Sequence, residues 1–225
     1  MRGPTSPVAS VDRIEAEDLA RARWYSFFSR WFLAPPDDQA IALFVHSSTA
    51  TPEPLSASNA DAESRLASAW RSFVAALAGQ SLADIKAAYD DTFLSVGEAP
   101  VSLHASVYLT GFSNERPLAE VRHWLAAQGI QSSQAGLLTE DHLGLLCEAM
   151  AWLIIGQGDE SATAASAVTV GDAPQQYLFQ RFISPVCDEF CQRLKEAPEA
   201  GVYRSLGELF AAFGAVERQA FDIDR

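Results

Sequence analysis

Basic residues are scarce in this sequence. Sixteen lysines and arginines stand against 29 aspartates and glutamates in 225 residues, which leaves a formal charge of -13 and a pI near 4.6. A chain of that charge repels a phosphate backbone, so nucleic acid is excluded as a partner, whereas cationic peptides are attracted and solubility is favoured in any case. Cysteine is scarcer still. Cys147, Cys187 and Cys191 are an odd trio in a chain with ample core material, so no disulfide framework is expected and the thiols read as reduced and buried. Long hydrophobic runs are also missing: Arg21, Arg23, Arg30 and Asp37 interrupt the early candidate, and no stretch reaches the roughly 18 to 20 apolar residues of a membrane-spanning helix. Residues 1–10 contain Pro4 and Pro7 but no apolar run of the kind a signal peptide needs, and read as a disordered tail. The expectation is a cytoplasmic protein with no stable membrane insertion. The sequence has no G-x-x-x-x-G-K-[ST] phosphate loop, no G-x-S-x-G elbow and no H-E-x-x-H helix, and Gly156-Gln157-Gly158 follows a helix where a phosphate loop would follow a strand. No cofactor is expected.

What the sequence does have is apolar periodicity. Hydrophobic residues make up 48% of the chain and aromatic ones 10%, enough for one sizeable core or two small ones sharing an interface. Trp24, Phe27, Phe28, Trp31 and Phe32 fall at i, i+3, i+4, i+7 and i+8, the stripe of a helix that begins near Val11 and stops at Pro35-Pro36. A short helix is expected over Gln39 to His46. Leu66, Trp70, Phe73, Val74 and Leu77 mark another that ends at Gly79, and Leu82 to Phe93 carries Ile85, Tyr89 and Phe93 at i, i+4 and i+8. Ser102 to Leu109 starts a further helix, and Pro117 introduces one over Leu118 to Gln128. Gly129 to Leu138 has the chemistry of a linker between two helical blocks, 11–128 and 139–225. In the second block Thr139 is the expected N-cap of a helix ending near Gly156, with Glu140 and Asp141 in its first turn. Val168 to Val170 could form at most a short strand. Pro174 opens a helix with the stripe Phe179, Phe182, Ile183, Val186, Phe190 and Leu194, which Pro185 should kink or split. A last helix runs from about Val202 to Arg218. The fold class is all-α, a helical bundle of two lobes joined by a hinge.

Few constellations could carry chemistry. Glu140, Asp141 and His142, with Glu148 further on, form the tightest polar cluster, but consecutive residues fan around a helix and do not converge on one ligand. Cys187 and Cys191, four apart, could make half a metal site; no second pair completes it, so no metal is expected. A helical metal-dependent enzyme using His142, Glu148 and a cysteine stays open as one alternative, and a generic helical adaptor or regulator as another.

Three segments together resemble a known family. Tyr89 to Tyr108, YDDTFLSVGEAPVSLHASVY, is similar to the TorD-family pattern of a Tyr-x-x-x-Phe helix, a Gly/Pro loop and a Ser-Val-Tyr helix start. Leu138 to Leu146, LTEDHLGLL, resembles the family's E-P-x-D-H-L-G hinge, with Leu138 and Thr139 in place of Glu and Pro. Phe179 to Phe190 looks like its C-terminal aromatic helix, with Phe182 and Val186 where His and Trp are usual. With the aromatic first helix, the likeness spans nearly the whole chain after Ser10. It implies a two-lobed helical chaperone, not an enzyme. Such a chaperone binds the twin-arginine leader peptide, the apoenzyme, or both, of a molybdenum-cofactor oxidoreductase, and acts as a monomer or a lobe-exchanged homodimer. Peptide-binding residues implied by the matched motifs are Tyr89, Phe93, Tyr108, Asp141 and His142. Asp90, Asp91, Glu98, Glu140 and Asp141 would supply carboxylates for a cationic head beside an apolar groove. Core packing is the competing role for Tyr89 and Phe93; for Asp141 and His142 it is capping and hydrogen bonding between the lobes.

Overall fold

A computed structural model describes residues 16–37, 60–94, 99–113, 115–131, 137–156 and 173–223. The N-terminal tail, the helix expected over Gln39 to His46 and the short strand considered at Val168 to Val170 lie outside them.

Helix α1 (Ala16–Leu33) grows from the aromatic stripe: Trp24, Phe28, Trp31 and Phe32 are buried, and Phe27 packs against the same core. It stops just before Pro35, whose ring disfavours helical geometry in the residue preceding it. Helix α2 (Ala60–Leu77) buries Ala62, Leu66, Trp70, Phe73 and Leu77 at helical spacing. Helix α3 (Leu82–Phe93) has the span expected from sequence, because a capping box fixes its start. The Ser81 hydroxyl accepts the Asp84 N–H at 3.1 Å, and the Asp84 carboxylate accepts the Ser81 N–H at 3.2 Å. Helix α4 (Ala105–Thr110) is short and ends at Gly111, whose φ of 84° suits a residue without a Cβ. Helix α5 (Arg116–Ala127) has Pro117 in its first turn, where a missing N–H costs nothing.

Helix α6 (Leu143–Ile155) is capped by His142, not Thr139, and Glu140 and Asp141 precede the helix instead of forming its first turn. After it come α7 (Ala173–Leu178), a wider π turn (Phe179–Ile183) and α8 (Ser184–Glu196) in unbroken succession. The disturbance expected at Pro185 takes the form of that π turn. Proline offers no N–H and crowds the carbonyl four residues back, and the chain widens just before it, so that the Ser184 N–H reaches five residues back to the Phe179 carbonyl. Widening also suits the sequence: buried Leu178, Phe182, Val186, Phe190 and Leu194 are spaced by four, a pattern that drifts by about 40° per step on an ordinary α-helix. A 3₁₀ turn (Pro198–Ala200) leads into α9 (Tyr203–Ile223).

The protein is all-α. Among the described residues there is no sheet; His104 and His142 form an isolated antiparallel bridge. Helix α1 lies along α6, and α9 packs against both α2 and α8, so one continuous core draws side chains from both sides of the 129–138 segment. Gly207 and Gly214, seven apart on α9, permit the close approach to α8. A Cβ added at Gly214 would lie 2.8 Å from Cys187 Sγ, and one at Gly207 would lie 2.7 Å from Leu194 Cδ1. All three cysteines are buried and unpaired.

A charged network pins α1 to α9 inside this core. Arg21 donates through Nε and Nη2 to the two carboxylate oxygens of Glu217 at 2.9 and 3.0 Å, the Tyr25 hydroxyl donates to Glu217 at 2.8 Å, and Asp18 meets Arg21 at 3.0 Å. Burial would push the guanidinium pKa down, but the facing carboxylate more than offsets it and the pKa is raised.

Candidate functional site

The site is built from a non-helical crossing. Residues 99–104 turn back on α3, the Val101 N–H donating to the Thr92 carbonyl at 3.1 Å, and then meet the turn at 137–142. Two backbone bonds zip the segments together around the His104 and His142 bridge: Leu143 N–H to Leu103 carbonyl at 2.7 Å, and Ala105 N–H to Asp141 carbonyl at 2.9 Å.

Asp141 holds the crossing from within. It is 1% exposed. One carboxylate oxygen accepts from the Ser106 N–H at 3.2 Å and from the Ser106 hydroxyl; the other accepts from the Thr139 hydroxyl at 2.6 Å and lies 3.4 Å from His104 Nδ1. Because the single hydroxyl proton of Thr139 goes to Asp141, the Nδ1 of His104, 3.1 Å from that hydroxyl, carries a proton and donates to it. Burial alone would raise the carboxyl pKa. The bonds from His104, Ser106 and Thr139 outweigh it and hold Asp141 well below the usual carboxylate range.

His142 caps α6. Its Nδ1 accepts the Gly144 N–H at 3.1 Å, which leaves the neutral ring's proton on Nε2. Its ring stands edge to face with His104, centroids 5.2 Å apart. Burial, reinforced by the nearby His104, lowers its pKa to about 4.

A groove of about 810 Å³ opens on this crossing. Its walls are the end of α1 (Leu33, Pro35), the end of α3 (Tyr89, Phe93, Leu94), the 99–104 turn, Val107 of α4, and Phe112 beyond it, with Leu138, His142 and Arg193 closing the far side. Leu94 and Phe112 are 57% and 69% exposed, apolar surface on the lip of an apolar groove.

The residues expected from sequence separate into two groups. Tyr89, Phe93 and His142 line the groove together. Tyr89 is also anchored to the core: its hydroxyl donates to the Phe32 carbonyl at 2.8 Å, and burial pushes its pKa up to about 12. Tyr108 and Asp141 stand behind the wall. The Tyr108 hydroxyl donates to the Ser102 carbonyl at 2.6 Å and its ring lies under the Arg193 guanidinium, 4.8 Å from centroid to carbon. The carboxylate of Asp141 is taken up by partners within the chain. Asp90 and Asp91 are exposed on α3 outside the lining, and Glu140 is held bidentately by Arg122 at 2.9 and 2.8 Å. Glu98 lies outside the described residues.

Sequence reasoning missed Arg193, the one described lining residue with a fixed charge, which is also tied to Glu189 at 3.0 Å. Its position one turn from the aromatic stripe of α8 was the signal available. It missed Phe112 as well, which has no helical periodicity to betray it. No group of three or more His, Cys, Asp or Glu among the described residues could hold a metal ion, and no described helix is long and apolar enough to cross a membrane.

No curated protein matches the chain. A family model described as the nitrate reductase delta subunit matches residues 59–192, a span that takes in all three motif segments, both sides of the crossing and the groove residues from Tyr89 to His142. The chain belongs to that family, the TorD-type chaperones that assist the maturation of molybdenum-containing redox enzymes.

Proposed function

We propose that the protein holds the twin-arginine leader of a molybdopterin oxidoreductase in the groove between α3, α4 and the His104–His142 crossing. By doing so it delays export from the cytoplasm until the cofactor is in place. The observation that carries this reading is the groove itself: apolar walls, an exposed apolar lip at Leu94 and Phe112, and a polar seam at His142. An apolar leader body fits such walls, and its backbone carbonyls can accept from the Nε2–H of His142. The cationic head belongs outside, because Arg193 at the wall repels it while Asp90 and Asp91 on α3 and the overall charge of -13 attract it. Catalysis has no part in this; binding and release do the work. A lobe-exchanged dimer would rebuild the same groove from two copies, and analytical ultracentrifugation tells it from a monomer.

Titration calorimetry of the full chain with a leader peptide from a molybdoenzyme of the same gene neighbourhood tests the reading. Phe112→Ser removes lip surface that a bound leader would cover. Burial of such a side chain stabilises by roughly 1.5 to 3 kcal/mol, so affinity should fall at least about tenfold, with stability unchanged. A variant that binds as tightly as the natural protein would remove the groove from consideration.

A further inference from the structure

The two histidines of the crossing offer opposite chemistry to the groove. The bonds from the Leu143 N–H to the Leu103 carbonyl and from the Ala105 N–H to the Asp141 carbonyl flank them, which makes His104 and His142 the antiparallel pairing whose side chains stand closest together on one face. Both residues line the groove. His104 keeps its Nδ1 proton toward the Thr139 hydroxyl at 3.1 Å, with Asp141 behind at 3.4 Å, so Nε2 of its neutral ring is an open acceptor, and 32% of the side chain is exposed. In His142 the Gly144 N–H occupies Nδ1 and the proton sits on Nε2, a donor. Among the described residues neither Nε2 has a hydrogen-bond partner, and neither is a buried atom.

No neighbouring side chain duplicates that acceptor. Arg193 only donates and is tied to Glu189, the Ser102 hydroxyl oxygen already accepts the His104 N–H at 3.1 Å, and no described lining residue is an Asp or Glu. An acceptor beside a donor matches one residue of an extended peptide, whose N–H and C=O leave the backbone on the same side. The interior of a helix does not match, because its N–H and C=O groups are bonded to one another.

We infer that His104 is a specificity-determining residue of this groove: with His142 it reads one residue of an extended peptide backbone, His104 Nε2 accepting that residue's N–H while His142 Nε2–H donates to its carbonyl. The inference rests on the leader reading above and names how the leader is held. Two backbone contacts fix the register and the conformation of the bound segment and leave its side chains to the apolar walls. The residue read cannot be proline, which has no N–H to give. Asp141 and Thr139 act through His104 here, because the proton they hold on Nδ1 is what leaves Nε2 free to accept.

An ester scan of the leader tests this on the full chain. In each analogue one peptide bond is replaced by an ester, which removes one N–H and changes no side chain, and calorimetry measures its affinity beside that of the parent leader. With the natural protein one ester should cost at least about fivefold, the effect of leaving a desolvated acceptor unpaired. With His104→Phe the parent leader should bind at least about fivefold more weakly, and the same ester should then cost less than about twofold. If no ester costs the natural protein more than about twofold, or if the sensitive ester costs His104→Phe as much as it costs the natural protein, the inference is overturned. When Phe112→Ser still weakens binding in that case, the leader reading stands without it; a leader that does not bind at all takes both away. Nitrogen NMR of the histidine-labelled natural protein needs no variant to fold. It should show the Nδ1–H tautomer for His104 and the Nε2–H tautomer for His142, with the His104 Nε2 resonance moved by the parent leader and not by the sensitive ester. A His104 found with its proton on Nε2 would overturn the inference.

Discussion

The α1–α9 side of the molecule and the crossing beside the groove are both buried and both polar at heart, but they use polarity differently. On the α1–α9 side Trp24, Phe28, Phe210 and Phe213 interleave with ring centroids 4.9 to 5.9 Å apart, and the Arg21–Glu217–Tyr25 network is sealed among them. Regular helices hold all four rings, and each is buried. At the crossing, Asp141 is as thoroughly bonded as Glu217, but the elements it joins are turns, and the surface beside it exposes Leu94 and Phe112. One region converts its apolar surface into stability; the other uses a buried carboxylate to keep irregular backbone in place so that apolar surface can stay open. Recognition surfaces need this second arrangement, since a groove that closed on itself would have nothing to offer a partner.

Breaking the first region should cost the most. Glu217→Ala leaves the Arg21 guanidinium buried without its counter-charge, a change worth about 3 to 5 kcal/mol in comparable buried pairs. Urea denaturation should show that loss, and leader affinity measured on the remaining folded protein should be unchanged. A loss below about 1 kcal/mol would mean that water and the existing bond to Asp18 suffice for Arg21 without Glu217.

Asp141→Asn should have a smaller effect on stability but a larger one on function. The amide keeps one acceptor and turns a donor toward Ser106 or Thr139, so charge-assisted bonds worth roughly 1.5 to 3 kcal/mol are lost. Stability should fall by about 2 to 3 kcal/mol. Leader binding should fall with it because the wall at Leu103 and His142 loosens, and, with the carboxylate buried and bonded to Ser106 and Thr139, the salt dependence of binding should match that of the natural protein. A variant of full stability whose binding has lost its salt dependence would return Asp141 to direct contact with the leader.

These two carboxylates also mark what was legible in the sequence. Elements with local causes were read closely: α3 from its stripe, α5 from Pro117, and the end of α6 from Gly156. The family motifs led to the turn whose Leu138 and His142 border the groove. Thr139 looked like an N-cap because an acidic pair follows it, but its hydroxyl and the Asp141 carboxylate are engaged across the chain with His104 and Ser106, 35 residues away, and the cap passes to His142. Arg21 and Glu217 are 196 residues apart, and no local rule pairs them. A trace existed in Arg21 standing three residues before Trp24 and seven before Phe28, a charge inside an aromatic stripe, which implies a buried partner somewhere. The groove was legible only through Tyr89, Phe93 and His142; its lip lies after a helix end, where periodicity says nothing.

The finest distinction between the two regions is in their response to acid, and His142 carries it. Its Nδ1 accepts from the Gly144 N–H, so protonation would remove the cap of α6 as well as place a charge beside His104 in a buried setting. The ring's pKa is accordingly lowered from 6.5 to about 4 in the folded protein. Above pH 6.5 both folded and unfolded chains hold the ring neutral, and it contributes no pH dependence. Between about 6.5 and 4 the unfolded chain binds a proton that the folded one does not, so stability should fall as pH falls, by about 1.4 kcal/mol per unit from this group, and level off below. Asp141 acts in the next window down: its folded pKa is lowered, so its contribution is present above the ordinary carboxylate range and is lost only in stronger acid. His142→Asn keeps a side-chain acceptor suited to an N-cap and removes the titration. Urea denaturation at a series of pH values should therefore show the slope between about pH 6.5 and 4 in the natural protein and not in the variant, while both unfold in stronger acid. A variant that kept the slope would move it to another group and leave His142 a cap without a pH response.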